Sequence, residues 1–380
     1  MKRLGEWFYQ DGCLFNNRTK QLVFLDNQEE KEVDKKYITS KEFLELVEKA
    51  PVPNPTKPIT HQILALEITD QCNYNCPYCF EGGSCHNRQV LEFKIACAAI
   101  DELPSGSELR FFGGEPLLQF PLIVRLVERY PQHRYSLVTN GSLLTSEMAT
   151  FFAEHQFSVG VSYDGQKWQK KYRHNPSGSA IDDFYHAMEL FKESGLKPGI
   201  STVVTRESIP DLYDIHLEVF ADFQIGGWAY LLAYSQGMTN RDMDALKDQI
   251  LAIVHDFPAP HLFKINDLKK WAMKVAGEWP IAGYCGAGIC YSALTVSGEK
   301  RVCPFFLREG SCYGPNLRQV EVNCAKCAIW EYCRGGCYSL NRFGSGNTHL
   351  SHPLACKRNR VYFEAGLSTH IKTRRAMVKN

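Results

Sequence analysis

From residue 62 onward the chain alternates short apolar runs with longer segments of mixed polarity. Gln62–Thr69, Glu108–Phe112, Tyr135–Thr139, Phe157–Ser162, Pro198–Thr205 and Trp228–Ala233 read as strands, several ending at Gly, Asn-Gly or Asp-Gly signals. Phe93–Leu103, Pro121–Tyr130, Thr145–His155, Ala180–Ser194 and Pro210–Phe220 read as helices between them. Gly195 stands just past one of these helices, as a C-terminal cap favours. Further helical stretches follow at Asp242–His255 and near Leu268–Ala276. Six strand–helix units in series predict an α/β fold, with parallel strands curling into a partial (β/α)6 barrel of the TIM type. The residues with chemistry stand at the C-terminal ends of these strands, where barrel enzymes place it.

The two flanks break the pattern. Trp7-Phe8-Tyr9 and Gln21–Leu25 are strand-like runs around Asp11-Gly12 and Asn16-Asn17 turn signals, and 40–47 reads as a helix with Ser40 as its N-cap. The N-terminal segment is thus expected to be a hairpin plus one helix. The proline-rich stretch Pro51–Pro58 reads as a stiff linker. From about residue 280 apolar periodicity fades while Cys, Gly and Tyr accumulate, so metal ligation rather than a large core would organise that region. The expected division is 1–58, 59–270 and 271–380, the last ending in a helix whose basic Lys372–Arg375 stretch reads as a solvated end.

Composition narrows the class. The hydrophobic share is 44% and the charged share 22%, ordinary for a globular protein. A formal net charge of +1 supplies no field for a general nucleic-acid or membrane partner. No apolar segment follows Met1–Glu6 as in a secretory signal, and no run approaches the ~20 residues of a membrane span. The cysteines are therefore expected in a reducing cytoplasm, where ligation is favoured over disulfides.

Eleven of the fifteen cysteines fall into two patterns. Cys72-x3-Cys76-x2-Cys79 places three thiols on one loop, enough for three irons of a [4Fe–4S] cluster with one iron left open. Cys285, Cys290, Cys303, Cys324, Cys327, Cys333, Cys337 and Cys356 suffice for two fully ligated clusters. Zinc is the alternative at both places, although the first loop lacks the fourth ligand of a closed zinc site. Of the rest, Cys97 reads as a core residue, Cys13 and Cys312 as inert, and Cys85 as lying near the expected pocket.

With Gly113-Gly114-Glu115-Pro116 following one strand later, the chain resembles the radical S-adenosylmethionine (AdoMet) enzymes, and the C-terminal array is similar to their SPASM extension. The resemblance covers roughly residues 60–360. It implies three [4Fe–4S] clusters and bound AdoMet. Cys72, Cys76 and Cys79 would ligate the catalytic cluster, with Tyr78 packing near the adenine. Gly113, Gly114 and Glu115 would take the methionine amino group, Ser162 would help hold AdoMet, and Arg173 would pair with its carboxylate. Cys285, Cys290, Cys303 and Cys337 would hold the nearer auxiliary cluster, and Cys324, Cys327, Cys333 and Cys356 the farther one. Lys170-Lys171-Tyr172 precedes Arg173 where many relatives carry an Asp.

The resemblance also implies a peptide substrate. The wording Phe111–Leu118 looks most like maturases of ribosomally made peptides, which form thioethers or carbon–carbon cross-links and, less often, epimerise residues. Residues 1–50 would then be a reduced precursor-binding element pairing a leader peptide by strand addition, or simply a cover for the barrel end. An anaerobic sulfatase maturase is the rival, but relatives of that kind carry an acidic residue where Pro304-Phe305 follows Cys303. A non-enzymatic iron–sulfur carrier is the rival of another class. A monomer fed by a flavodoxin or ferredoxin is expected. Asp164 and several tyrosines are candidates for the base that an oxidation needs.

Overall fold

The computed structural model describes residues 1–4, 6–26, 29–33, 62–80, 88–233, 237–279, 285–306, 324, 327–345 and 351–379. The expected helix at 40–47, the linker Pro51–Pro58, Cys85 and Cys312 lie outside them.

Six strands, β5 (Ile63–Thr69), β6 (Glu108–Gly113), β7 (Arg134–Thr139), β8 (Ser158–Ser162), β9 (Gly199–Val204) and β10 (Trp228–Leu232), pair in parallel in sequence order. Five helices alternate with them: α2 (Phe93–Ile100), α3 (Phe120–Arg129), α4 (Ser146–Glu154), α6 (Ala180–Glu193) and α7 (Leu212–Asp222). A short helix, α5 (Gln166–Tyr172), stands between β8 and α6. The outward face of the strands carries Leu64, Leu66, Ile68, Leu109, Phe111, Leu137, Val159 and Val161, all buried in one core with the helices. Burying each contributes about 1.5–3 kcal/mol, which fixes strand register, because a one-residue slip would turn every one of them inward. Side-chain caps set several helix starts: Thr145 accepts from Met148 N, and Ser179 from Asp182 N.

The sheet extends beyond the six expected strands. β11 (Tyr291–Leu294) pairs in parallel with β5, and β12 (Lys300–Arg301) turns back against β11. The order is β10-β9-β8-β7-β6-β5-β11-β12, so among the described residues the barrel is open. β11 escaped the sequence reading because its four residues are too few to show a period.

The N-terminal segment is larger than a hairpin. β1 (Lys2–Leu4), β2 (Trp7–Gln10), β3 (Cys13–Asn16) and β4 (Leu22–Phe24) form an antiparallel sheet, followed by a one-turn helix α1 (Glu29–Glu32). The first and third strands were missed for opposite reasons: β1 is only three residues long, and β3 is buried on both faces, which erases alternation. Asp11 and Gly12 both take positive φ, 49° and 68°, at the tight turn between β2 and β3. After α8 (Asn240–Asp256), α9 (Ala259–Leu262) and α10 (Asn266–Val275), the chain reaches the cysteine-rich region with α11 (Trp330–Cys333) and α12 (Tyr338–Ser345), and ends in α13 (Pro353–Lys379). The N-terminal sheet packs on α13: Phe8 meets Phe363 edge-on at 5.4 Å, and Gln10 donates to the carbonyl of Glu364 at 3.1 Å. No helix among the described residues is long and apolar enough to cross a membrane.

Candidate active site

The loop leaving β5 carries Cys72, Cys76 and Cys79, all partly buried. It is pinned on several sides. Asn75 N donates to His174 O at 2.8 Å, Asn73 Nδ2 to Ser142 Oγ at 2.7 Å, and Asn140 Nδ2 to Asn73 Oδ1 at 2.9 Å. The Tyr74 hydroxyl donates to Asp183 on α6. Burial pushes the Cys72 thiol up to about 12 and the Cys76 thiol to about 11, the latter against the pull of the Arg173 guanidinium. Thiols in such a place become thiolates when a cation supplies the missing solvation, as iron does.

The turn after β6 is built to touch this loop. Gly114 N donates to Thr69 O at 2.9 Å and Glu115 N to Gln71 O at 2.7 Å. Gly113 has φ +135°, and a Cβ there would lie 2.2 Å from Thr69 O; a Cβ on Gly114 would lie 1.9 Å from Gln71 O. Any side chain at either position would displace the cysteine loop. The Glu115 carboxylate is 1% exposed. It accepts from Leu117 N at 3.1 Å, Thr139 Oγ1 at 2.7 Å and Asn140 N at 2.8 Å. Burial pushes it up to about 7, and those three donors pull against the shift. It thus braces β6 to β7, with three of its roughly four acceptor sites taken by protein donors.

Ser162 ends β8, largely buried. Two residues on, Asp164 gathers the other predicted contacts. Arg173 Nε and Nη2 reach its two oxygens at 3.0 Å each, Val203 N donates to it at 2.8 Å, and the Tyr78 hydroxyl donates to it. Arg173 lies 5.6 Å from the Tyr78 ring centroid, and Tyr172 lies 5.6 Å from the same ring. The Arg173 fork expected to grip a ligand carboxylate is therefore engaged by Asp164, so a second carboxylate has the Nη1 side. Asp164, offered above as a base, has its oxygens occupied by four donors. Its role was not visible in the sequence; only its place at a strand end marked it.

The second array separates into two groups. Cys285 opens a turn in which Cys290 N donates to Gly286 O at 3.0 Å, and Cys290 O accepts from Ile63 N at 2.7 Å. Burial raises the Cys303 thiol well above its usual value, with Cys285 and then Cys337 adding to it. Cys337 and Cys290 likewise rise through burial and then through Cys285. The other four, Cys324, Cys327, Cys333 and Cys356, line one small recess that is open to solvent and also touches Trp330 and Arg360. Asn359 Nδ2 donates to Cys333 Sγ at 3.1 Å. Among the described residues no three His, Cys, Asp or Glu side chains are close enough to hold one metal ion. A four-iron cube spaces its thiolates more widely than a single ion does. Cys97 and Cys13 are buried in the core. Two further features carried no motif. Phe80, directly after Cys79, packs on Phe305 at 4.7 Å, and Lys274 is buried beside Cys285 and Cys333. Burial, then Lys270, lowers Lys274 to about 7, and the two thiols pull it back up.

Comparison with known proteins agrees with this arrangement. The radical SAM superfamily profile matches residues 66–220. A cysteine-type anaerobic sulfatase-maturating enzyme of Clostridium novyi is 32% identical over 360 residues, covering 80% of this chain and 95% of that protein. The structure of anSMEcpe with bound AdoMet shares the fold with a TM-score of 0.68 at 20% identity, over 83% of this chain and 99% of its own. That of Streptococcus suis SuiB bound to precursor peptide SuiA does so with a TM-score of 0.53 at 16% identity, over 90% and 96%. The chain belongs to the radical SAM superfamily. It is a radical SAM enzyme related to maturases of the SPASM type, and membership implies a [4Fe–4S] cluster and AdoMet.

Proposed function

We propose that this enzyme matures a ribosomally made precursor peptide by forming a thioether or carbon–carbon cross-link. The observation that carries the reading is the glycine turn locked onto the three-cysteine loop, with Gly114 N and Glu115 N bonded to Thr69 O and Gln71 O. Cys72, Cys76 and Cys79 would hold the catalytic cluster. Bound there, cluster and AdoMet would supply radical chemistry able to take a hydrogen atom from the peptide. Gly113 and Gly114 let the backbone approach the ligand's amino end, Ser162 and the free side of Arg173 orient its carboxylate end, and Tyr78 packs beside it. Asp164 positions Arg173 and Tyr78 together. The two remaining cysteine groups would hold auxiliary clusters, whose chemistry is electron transfer; a flavodoxin or ferredoxin would be the donor.

Formylglycine formation, the activity of the sulfatase-maturating relatives, is less well supported. Pro304 offers no proton acceptor where such relatives carry an acid, and Phe305 closes the place with an aromatic contact to Phe80. SuiB, which shares the fold, has been captured with a precursor peptide, which supports the peptide reading. The outer strands of the N-terminal sheet among the described residues, β1 and β4, are where a leader strand would add.

The test is the mass of a candidate precursor peptide after anaerobic incubation with reconstituted enzyme, AdoMet and reductant, in H2O and in D2O. Loss of two hydrogens per event supports cross-linking. Deuterium gain without mass loss in H2O means epimerisation, and replacement of a cysteine sulfur by oxygen together with loss of two hydrogens means formylglycine; either overturns the cross-linking proposal.

A further inference from the structure

α10 buries Lys274 against the segment that carries Cys333. The residue is 6% exposed. Its Nζ donates to the carbonyl of Tyr332, the residue before Cys333, at 2.7 Å, and lies 5.1 Å from the Trp271 ring centroid. It is within electrostatic reach of Cys285 from one group and of Cys333 from the other. Lys270, one turn earlier on the same helix, acts on Cys337 but is bonded to Asp267 at 2.7 Å. Arg360 stands in the wall of the farther cavity, at its Cys356 side. Lys274 is thus linked to one cysteine of each group.

A buried ammonium persists where anionic or carbonyl partners replace its water. Two four-thiolate clusters, each with net negative charge, are such partners on either side. A nearby positive charge favours the reduced form of each cluster over the oxidised form, because reduction adds a negative charge that the ammonium attracts. We propose that Lys274 is a positioning residue whose charge, held between the two auxiliary clusters, raises the reduction potentials of both. The inference rests on the ligand sets proposed above.

The experiment is an anaerobic redox titration of the reconstituted holoenzyme, followed by electron paramagnetic resonance, which needs no peptide. In Lys274→Met and Lys274→Gln both auxiliary midpoints should move to more negative potentials. The midpoint of the cluster held by Cys72, Cys76 and Cys79 should stay in place. Lys274→Arg should restore the wild-type auxiliary values. Lys274→Gln keeps a donor for the Tyr332 carbonyl, so it separates charge from hydrogen bonding. Unmoved auxiliary midpoints at about twelve irons per chain, the content of three four-iron clusters, would overturn the role of Lys274 alone. Loss of auxiliary iron from both neutral variants makes Lys274 a structural residue and overturns it too. Wild-type protein that holds only about four irons would remove the auxiliary clusters, and both proposals' ligand sets with them.

Discussion

Asp164 and Arg173 form a buried pair, 1% and 8% exposed at their side chains, with two bonds of 3.0 Å between them. Removing one partner of such a pair leaves the other charged and unsolvated, at a cost of about 3–5 kcal/mol. Asp164→Asn should lower the stability of the cluster-free protein by that amount in a denaturant titration, and AdoMet cleavage should fall because Tyr78 and Arg173 lose their common anchor. Unchanged cleavage would leave Asp164 a purely structural residue. At this scale the sequence was most legible where chemistry demands a fixed spacing. The Cys72 loop and Gly113-Gly114 stand together as expected, because only bare backbone fits against Thr69 and Gln71. The partner of Arg173 was not legible. It stands nine residues upstream, across the turn from β8 into α5, and no periodicity encodes that contact. The three donors on Glu115 were hidden likewise, since two of them come from the end of the next strand.

Among elements, the close crossing of α10 and α13 organises the cysteine-rich end. Gly366 makes it possible: a Cβ there would lie 2.6 Å from the Cβ of Trp271 and 2.8 Å from its carbonyl carbon. Gly366→Ala should push the helices apart and cost about 1–3 kcal/mol, read as a lower melting temperature together with loss of iron from the cavity that Cys356 lines. The same helix carries His370, held down at about 4 by burial and by Arg374. Its ordinary value is 6.5, so the unfolded chain binds the proton first. Stability is then full above pH 6.5 and is lost toward pH 4, by about 1.4 kcal/mol per pH unit for this group. His370→Gln should make that acid slope less steep between pH 6.5 and 5 in thermal melts; His216, which burial lowers to about 3, keeps the same sign there, and Glu115, raised to about 7, acts in the opposite sense. An unaltered slope would show that His370 does not protonate on unfolding. The six parallel strands and their helices were readable because each is long enough to show its period. β1, β11 and β12 were not, being two to four residues long and defined by their neighbours.

In the molecule as a whole, the two cysteine arrays should be separable by mutation. Cys76→Ala should abolish deoxyadenosine formation altogether, whereas Cys327→Ala should still make deoxyadenosine yet lose the peptide product; both are read by chromatography of one reaction. Full peptide turnover in Cys327→Ala would remove the farther group from the reaction. The α/β class and the presence of two arrays followed from spacing alone. That a strand pair from the cysteine-rich end joins the barrel sheet did not, because pairing between β5 and β11 links residues more than two hundred positions apart. This pairing has a consequence for the proposed electron path. Ile63, at the start of β5, is bonded to the carbonyl of Cys290, while Cys72 follows just beyond the strand's end at Thr69. One seven-residue strand, about 20 Å at ~3.3 Å per residue, therefore lies between the Cys72 loop and Cys290, one of the ligands proposed for the nearer cluster. Tunnelling between two centres falls off steeply with separation. On this arrangement the ladder along β5 and the Phe80–Phe305 contact would together hold the gap, so the electron's step length would be tied to the count of residues in a single strand.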